Sequence, residues 1–426
     1  MRETLAIGID LGTSGARAVA MTPERRIVAR AAARFADLGA DPRAPGDWWQ
    51  AVETALGGVL DAVDKTCVRA VSVDATSGTL LAVDQRGTPI APALMYDDRS
   101  ADASLLTRIA PLIPQQSAAH GATSGLVKAL ALQAVPGVER ILHQADWIAG
   151  RLTGDYGTTD ENNALKTGYD PLARRWPAWM AETGLKTGLL PEVVEPGTPL
   201  GRFAGPMARA FGLDPEAIVV AGTTDGCASF LATGAHTPGD GVSALGSTLT
   251  VKLLGDRPIF APGYGIYSHR INGMWLAGGA SNSGGRVLAH FFAGAEIERL
   301  SERIDPATAT GLDFYPLLEP GERFPVMDRT HPPRLEPRPA DDAEFLKAMF
   351  EGIAAIEKLG YDRLAELGAP PLRSIRTVGG GAGNPAWTRI RQRALGVPFL
   401  PAHSDEAAAG TAGLALAGLR SMGALR

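Results

Sequence analysis

The chain has two cysteines, Cys67 and Cys227, among 426 residues, and seven histidines. Two thiols make neither a disulfide framework nor a zinc cluster, and they fit a reducing, cytoplasmic setting. The histidines show no metal-ligand spacing. No apolar run reaches the roughly 18 residues that a membrane span needs. The start, Met1-Arg2-Glu3-Thr4-Leu5, runs directly into a strand-like segment, so neither a signal peptide nor a membrane partner is expected. There is no Gly-Lys dipeptide, which rules out the P-loop, and no Gly-x-Ser-x-Gly elbow. Net charge is −5 with Lys and Arg scattered, which argues against a nucleic-acid or anionic-membrane partner. It leaves a phosphorylated ligand open, because backbone N–H groups and Mg²⁺ can hold one.

What is present is ordinary globular material. Hydrophobic residues make up 45% and charged residues 20%, and the 51 glycines sit in short clusters that mark tight loops. The length suggests two or three domains. Leu5–Asp10, Arg17–Met21 and Ile27–Phe35 read as three antiparallel strands joined by short turns. Helical spacing over Trp48–Val63 starts near Asp47 as a cap. Val68–Val73 and Leu80–Val83 read as strands, and the stretch from about 100 to 212 as mostly helical. Strand-like Ala217–Ala221 then leads through Gly222–Gly226 into helical Cys227–Thr233, and Gly241–Leu254 forms a hairpin. A strand, a Gly/Thr/Ser turn and a strand thus recur about 235 residues apart, an internal duplication of long period. Strand Ser374–Val378 precedes a glycine cluster. Asn384 and Pro385 then start a helix that stops at Gly396. Glu406–Leu419 is an Ala-rich helix suited to close packing, and Pro-rich Arg334–Ala340 is a surface excursion.

Five short constellations carry chemistry. In Ile9–Gly15, Asp10 ends a strand and can hold Mg²⁺ through water, while Gly12, Thr13 and Ser14 can donate to phosphate oxygens; the same residues also suit a plain hairpin turn. Asp225, in Gly222–Gly226, either caps the following helix or acts as a general base toward a hydroxyl. If the halves are related by a pseudo-two-fold axis, Asp10 and Asp225 end equivalent strands and face one cleft. Gly246, Ser247 and Thr248 are the second half's turn, a phosphate wall or again a hairpin. Gly379–Asn384 lets backbone approach a flat or anionic ligand. It is no dinucleotide fingerprint, because Asn384 stands where the third glycine would be. Asp74–Thr79 and Tyr96–Arg99 either line a sugar pocket or are polar loops.

Taken in order, these runs resemble the FGGY family of carbohydrate kinases over essentially the whole chain. Ile9–Gly15 is similar to the family's first phosphate motif, Gly222–Asp225 to its catalytic-base motif and Leu245–Thr248 to its second phosphate loop. Gly278–Asn282 and Gly379–Asn384 are similar to the stretches that flank the adenosine. The runs Asp10–Ala18, Thr76–Leu80, Gln144–Trp147, Asn163–Tyr169, Ala221–Asp225, Gly311–Pro316 and Gly321–Pro325 resemble those of short D-ribulose kinases. Tyr96–Arg99 looks more like the W-N-D-x-R loop of xylulokinases.

The resemblance implies an α/β, two-domain actin-like ATPase fold with a duplicated mixed-sheet core and a deep cleft. It implies a sugar-binding domain over 1–232 with the C-terminal helix at about 406–426, and an ATP-binding domain over 233–405. Asp225 would be the base. Asp10, Ser77, Asp98 and Asp225 would contact the sugar, and Asp10 would hold Mg²⁺. ATP would meet Gly12, Thr13, Ser14, Gly246, Ser247, Thr248, Gly279, Asn282, Gly380, Gly381 and Asn384. The implied reaction phosphorylates D-ribulose on its 5-hydroxyl, with D-xylulose or another polyol as the alternative. An actin-like ATPase without a sugar substrate is the reading from another class. A monomer or homodimer is expected.

Overall fold

Seven of the eight residues of strand β1 (Leu5–Gly12) are buried, which is what a central strand covered on both faces requires. In the computed structural model, which describes residues 4–425, β1 is the middle of a mixed sheet. It pairs antiparallel with β2 (Gly15–Met21), which pairs antiparallel with β3 (Ile27–Arg34). On its other side β1 runs parallel to β4 (Val68–Ala75). The sheet closes with β5 (Pro199–Arg202) and β6 (Ile218–Val220) in the order β3-β2-β1-β4-β6-β5, with β6 parallel to β4.

Two helices cover this sheet. Helix α1 (Pro45–Asp61) packs its buried Trp48, Val52, Leu56 and Val59 against β2 and β3. It begins two residues before Asp47, because Pro45 takes the first helical position, where its missing N–H costs nothing. Asp47 instead accepts from the backbone of Asp41. Helix α9 (Ala407–Ser421) lies on β1 and β4 at backbone contact. A Cβ on Gly8 would stand 1.9 Å from the carbonyl oxygen of Ala408, so the Ala-rich face and Gly8 are two halves of one fit. Between them lie α2 (Gly125–Leu132), α3 (Gln144–Thr153) and α4 (Asp225–Ala232).

The stretch from 100 to 212 is less helical than its sequence suggests. Besides β5 it holds three short strands, Arg140–His143, Thr158–Asp160 and Glu192–Val194, and its helices are short. Gly and Pro break the helical periods there, and short runs such as Ile141-Leu142 find partners in other strands rather than a turn of helix.

The second unit contributes to the second, six-stranded sheet β7 (Asp240–Leu245), β8 (Leu249–Gly255), β9 (Met274–Ala280), β10 (Ser374–Val378) and β11 (Phe399–Leu400), in the order β9-β8-β7-β10-β11. Its pairings are antiparallel, antiparallel, parallel and parallel, the same senses as β3-β2-β1-β4-β6. The expected duplication is therefore real, and it equates β1 with β7 and β4 with β10. Its helices are α5 (Gly285–Phe291), α6 (Gly294–Ser301), α7 (Asp342–Glu366) and α8 (Pro385–Leu395). The Pro-rich excursion at 334–340 precedes α7 on the surface, outside helix and strand.

By contacts the chain forms two units. One comprises Met1–Ala232, His269–Asn272 and Glu406–Arg426; the other comprises Thr233–Ser268 and Gly273–Asp405. Segment 269–272 belongs to the first through Asn162, whose Oδ1 accepts from Arg270 N and whose Nδ2 donates to Arg270 O, both at 2.9 Å. Among the described residues no helix is long and apolar enough to cross a membrane.

Candidate functional site

Three carboxylates meet at the carboxyl ends of parallel strands in the first unit. The β1–β4 register places Asp10 directly beside Asp74. One residue beyond β4's Asp74, Ala75 bridges Thr224, and Asp225 follows as the first residue of α4. Asp10 is 6% exposed and Asp74 is wholly buried. Burial pushes the Asp74 carboxyl well above its ordinary range, and the negative charge of Asp10 adds to this. The hydroxyl of Thr411, on α9, donates to Asp74 Oδ2 and opposes the rise; the charge of Asp225 raises it further. One buried group thus senses both Asp10 and Asp225.

This arrangement corrects one expectation from the sequence. Asp10 and Asp225 do not end duplicated strands; the duplicate of β1 is β7, and Asp225 follows β6 in the same sheet as Asp10. Their proximity comes from β1 and β6 both flanking β4. Asp225 is half-buried, and its Oδ1 accepts from Gly226 N at 2.6 Å. Thr224 carries the capping carbonyl of α4, which receives the N–H groups of Cys227 and Ala228. The cap of α4 is therefore the Thr224 carbonyl rather than the Asp225 side chain. Thr223 Oγ1 accepts from Asn162 Nδ2 at 2.9 Å, tying the loop before Asp225 to segment 269–272 through Asn162.

The hairpin turn after Asp10 is open at its tip. Thr13 and Ser14 are exposed, and a Cβ on Gly12 would meet nothing nearer than 3.8 Å. Packing therefore does not demand glycine at 12, whereas close approach of a ligand would. Arg17 Nη1 donates to Asp10 Oδ2 at 3.0 Å, and its Nη2 reaches Ser14 Oγ at 3.4 Å, so a guanidinium stands at this turn.

Next to the carboxylates, loop 76–79 is held from several sides. Thr76 Oγ1 donates to Gln144 Oε1 and pairs with Thr79 Oγ1, each at 2.7 Å, and Thr79 Oγ1 accepts from Tyr96 N. Lys128 Nζ, on α2, donates to Gly78 O at 2.8 Å and Tyr96 O at 3.0 Å. Burial lowers the Lys128 ammonium to about 8, against the pull of Asp98. Ser77 Oγ is buried without a hydrogen-bond partner among the described residues, the mark of a group awaiting one. Asp98 is differently employed. The Arg43 fork takes both its oxygens at 2.8 and 2.9 Å, and Met95 N donates to one of them. Arg43 first, then that backbone N–H, hold its carboxyl below the usual range despite some burial. Asp98 thus clamps its loop to Arg43.

The second unit contains a cavity of about 1120 Å³. Its wall includes Gly246 and Ser247 from the turn after β7, Gly380, Gly381 and Asn384 from the glycine cluster, and the ring of Trp387. Gly380 has open space where a Cβ would be and Gly246 has only ordinary contact with Thr248 O at 3.8 Å, whereas Gly381 makes room for Trp387, 2.5 Å from its missing Cβ. Asn384 caps α8 through Trp387 N at 3.0 Å and donates to Ser301 Oγ at 2.8 Å. The turn 246–248 is fixed from behind, with Gly285 N and Arg286 N donating to the carbonyls of Gly246 and Ser247. Thr248 is half-buried and outside the cavity wall.

Two residues expected at the nucleotide do not line this cavity. Gly279 lies beneath the Phe324 ring, 2.4 Å from its missing Cβ, so its smallness serves packing. Asn282 donates to Gly321 O at 3.0 Å and lines two neighbouring cavities instead. Sequence reading missed Arg17, Lys128, Asn162 and Thr411 as members of these networks. Asp74 was legible in principle, since aligning the two parallel strands by their apolar runs pairs it with Asp10.

Comparison with known proteins supplies the remaining findings. The model of the FGGY carbohydrate kinase N-terminal domain matches residues 5–120, and that of the C-terminal domain matches residues 241–419. The chain is 28% identical over 424 residues to a xylulose kinase of Streptomyces rubiginosus, covering 92% of this chain and 84% of that protein. It is 26% identical over 462 residues to an autoinducer-2 kinase of Yersinia pestis, covering 95% and 84%. Among solved structures, a xylulose kinase from Rhodospirillum rubrum superposes with a TM-score of 0.81 at 21% identity, covering 97% of this chain and 90% of that one. That likeness shows the two-domain, actin-like fold.

Proposed function

Because this chain belongs to the FGGY family of carbohydrate kinases, which are ATP-dependent sugar phosphotransferases, we propose that it phosphorylates a ketopentose with Asp225 as general base. The observation that supports the assignment is the meeting of Asp10, Asp74 and Asp225 at the carboxyl ends of adjacent parallel strands, beside an open turn suited to phosphate.

ATP enters through the second unit's cavity. Trp387 and its apolar neighbours suit the base, and the open backbone at Gly246 and Gly380 admits the ribose and phosphates. Thr13 and Ser14 contact the transferring phosphate, with Arg17 as the nearest cation. Asp225 accepts the proton of the attacking hydroxyl as the new O–P bond forms and ADP leaves, so positioning and charge do most of the work. Ser77 Oγ gains its missing partner from a sugar hydroxyl. Asp10 offers the hard carboxylate oxygen that Mg²⁺ prefers, yet among the described residues no three carboxylate, His or Cys side chains are arranged to hold a metal by themselves. Mg²⁺ would therefore be held by Asp10, through water, and by the phosphates of ATP, and it would offset their charge.

The preferred substrate is D-ribulose, on the resemblance of runs 76–80 and 163–169. D-xylulose is the second reading, favoured by relatives that carry that name and by the Tyr96–Arg99 loop. ADP release measured with D-ribulose, with D-xylulose and with no sugar separates the cases. Turnover with one ketopentose well above the sugar-free rate supports the proposal. Equal ADP release without sugar would make the chain an ATPase of another kind.

A further inference from the structure

A second cavity of about 570 Å³ in the same unit has a wall that includes Asn282, Gly321, Arg323, Met327 and Arg329. The charge in this wall is one-sided. Arg323 and Arg329 are exposed, and neither guanidinium forms an ion pair or hydrogen bond among the described residues. The wall's one carboxylate, Glu322, is 2% exposed and fully engaged. It accepts from Ser281 Oγ at 2.5 Å, Asn282 N at 2.8 Å, Arg323 N at 2.9 Å and Tyr315 OH at 3.0 Å. Those four donors occupy both of its oxygens. An adjoining space of about 290 Å³ shares Asn282 and Gly321 and adds one charge of each sign, Arg286 and Glu319. Two guanidiniums with no ion pair therefore line one hollow, in a chain whose net charge is −5.

Such a concentration is costly unless something answers it, because like charges in a concave wall repel and the field is focused outward. Met327, 49% exposed, adds an apolar surface to the same wall. The shape is too large for a bare ion and suits a dianionic head with a small carbon body. We infer that Arg323 and Arg329 form an anion site for a phosphate monoester, separate from the nucleotide cavity. Arginine forks match phosphate oxygens two at a time, which gives such a site both affinity and orientation. The monoester can be the ketose phosphate that the kinase itself releases or an unrelated phosphorylated metabolite.

The test is calorimetric titration of the full chain with inorganic phosphate, first alone and then with the nucleotide cavity filled by a non-hydrolysable ATP analogue and Mg²⁺. Binding should persist in the filled protein, weaken with added salt, and weaken by about tenfold or more in Arg323→Gln and in Arg329→Gln. The thermal unfolding midpoint of each variant, measured alongside, should match that of the parent chain. Repeating the titration with ribulose 5-phosphate and with glycerol 3-phosphate identifies the source; tighter binding of the first points to the enzyme's own product. No phosphate binding at all, unchanged binding in both variants, or complete loss of binding once the analogue is present would overturn the inference. The last outcome would assign these arginines to the phosphates of the nucleotide.

Discussion

Arg391 and Glu357 form a two-pronged ion pair in which neither side chain is exposed, Nε to Oε2 at 2.6 Å and Nη2 to Oε1 at 2.7 Å. The pair also gathers the strands behind the large cavity. Ser243 Oγ, on β7, donates to Glu357 at 2.5 Å, and Arg391 Nη1 donates to Thr377 Oγ1, on β10, at 3.0 Å. Gly246, Gly380 and Asn384 all follow or precede these anchored residues by a few positions. Arg391→Met leaves a buried carboxylate uncompensated and should cost about 3–5 kcal/mol in urea unfolding. Adding Glu357→Gln should recover part of that loss, because a neutral pair buries no orphan charge.

Asp225→Asn keeps the shape of the side chain and removes its basicity. We expect kcat to fall by about 10²–10⁴-fold while the ATP analogue still binds, as read by steady-state kinetics and calorimetry. Near-normal turnover in this variant would remove Asp225 from the role of base.

The glycine cluster divides by purpose, and two substitutions should show it. Gly380→Ala meets open space and should leave the melting temperature unchanged while raising KM for ATP. Gly381→Ala drives a methyl toward the Trp387 ring and should cost about 1–3 kcal/mol of stability.

Asp160 gives a pH signature. Burial, aided by the charge of Asp146, lifts its carboxyl to about 7, against hydrogen bonds from Asn163 and the nearby His143. Below pH about 4 the group is protonated in both folded and unfolded chains, and its contribution is whole. Between about 4 and 7 the unfolded chain ionises and the folded one does not, so stability should fall by a few kcal/mol at most. Asp160→Asn stays neutral and can still accept from the N–H groups of Asn162 and Asn163; its melting temperature should vary less over that range.

Much of the fold was legible because its signals are local. Strands β1 to β3 show themselves by apolar runs cut by Gly/Thr/Ser turns, and α8 by Asn384, Pro385 and Gly396 at its ends. The long-period duplication was also visible, since β7 and its turn repeat β1 and its turn. What sequence could not show was register across distant segments. Asp74 meets Asp10 only because two strands separated by a helix lie parallel, and Thr411 meets Asp74 only through α9. Asp98 and Gly279 have packing or ion-pair partners that sequence could not show, for the same reason. Each has the right residue type for a ligand, and each is claimed by a side chain far away in sequence, Arg43 in one case and Phe324 in the other.

Helix α9 has a bearing on biosynthesis. It is translated after the whole second unit, yet it covers β1 and delivers the Thr411 hydroxyl to the carboxylate cluster. A nascent chain on the ribosome therefore carries a lidless first sheet, with Gly8 and its neighbours uncovered, until residues 407–421 leave the exit tunnel. Premature termination anywhere before them would yield a polypeptide with nearly all its sequence and an unfinished reaction centre.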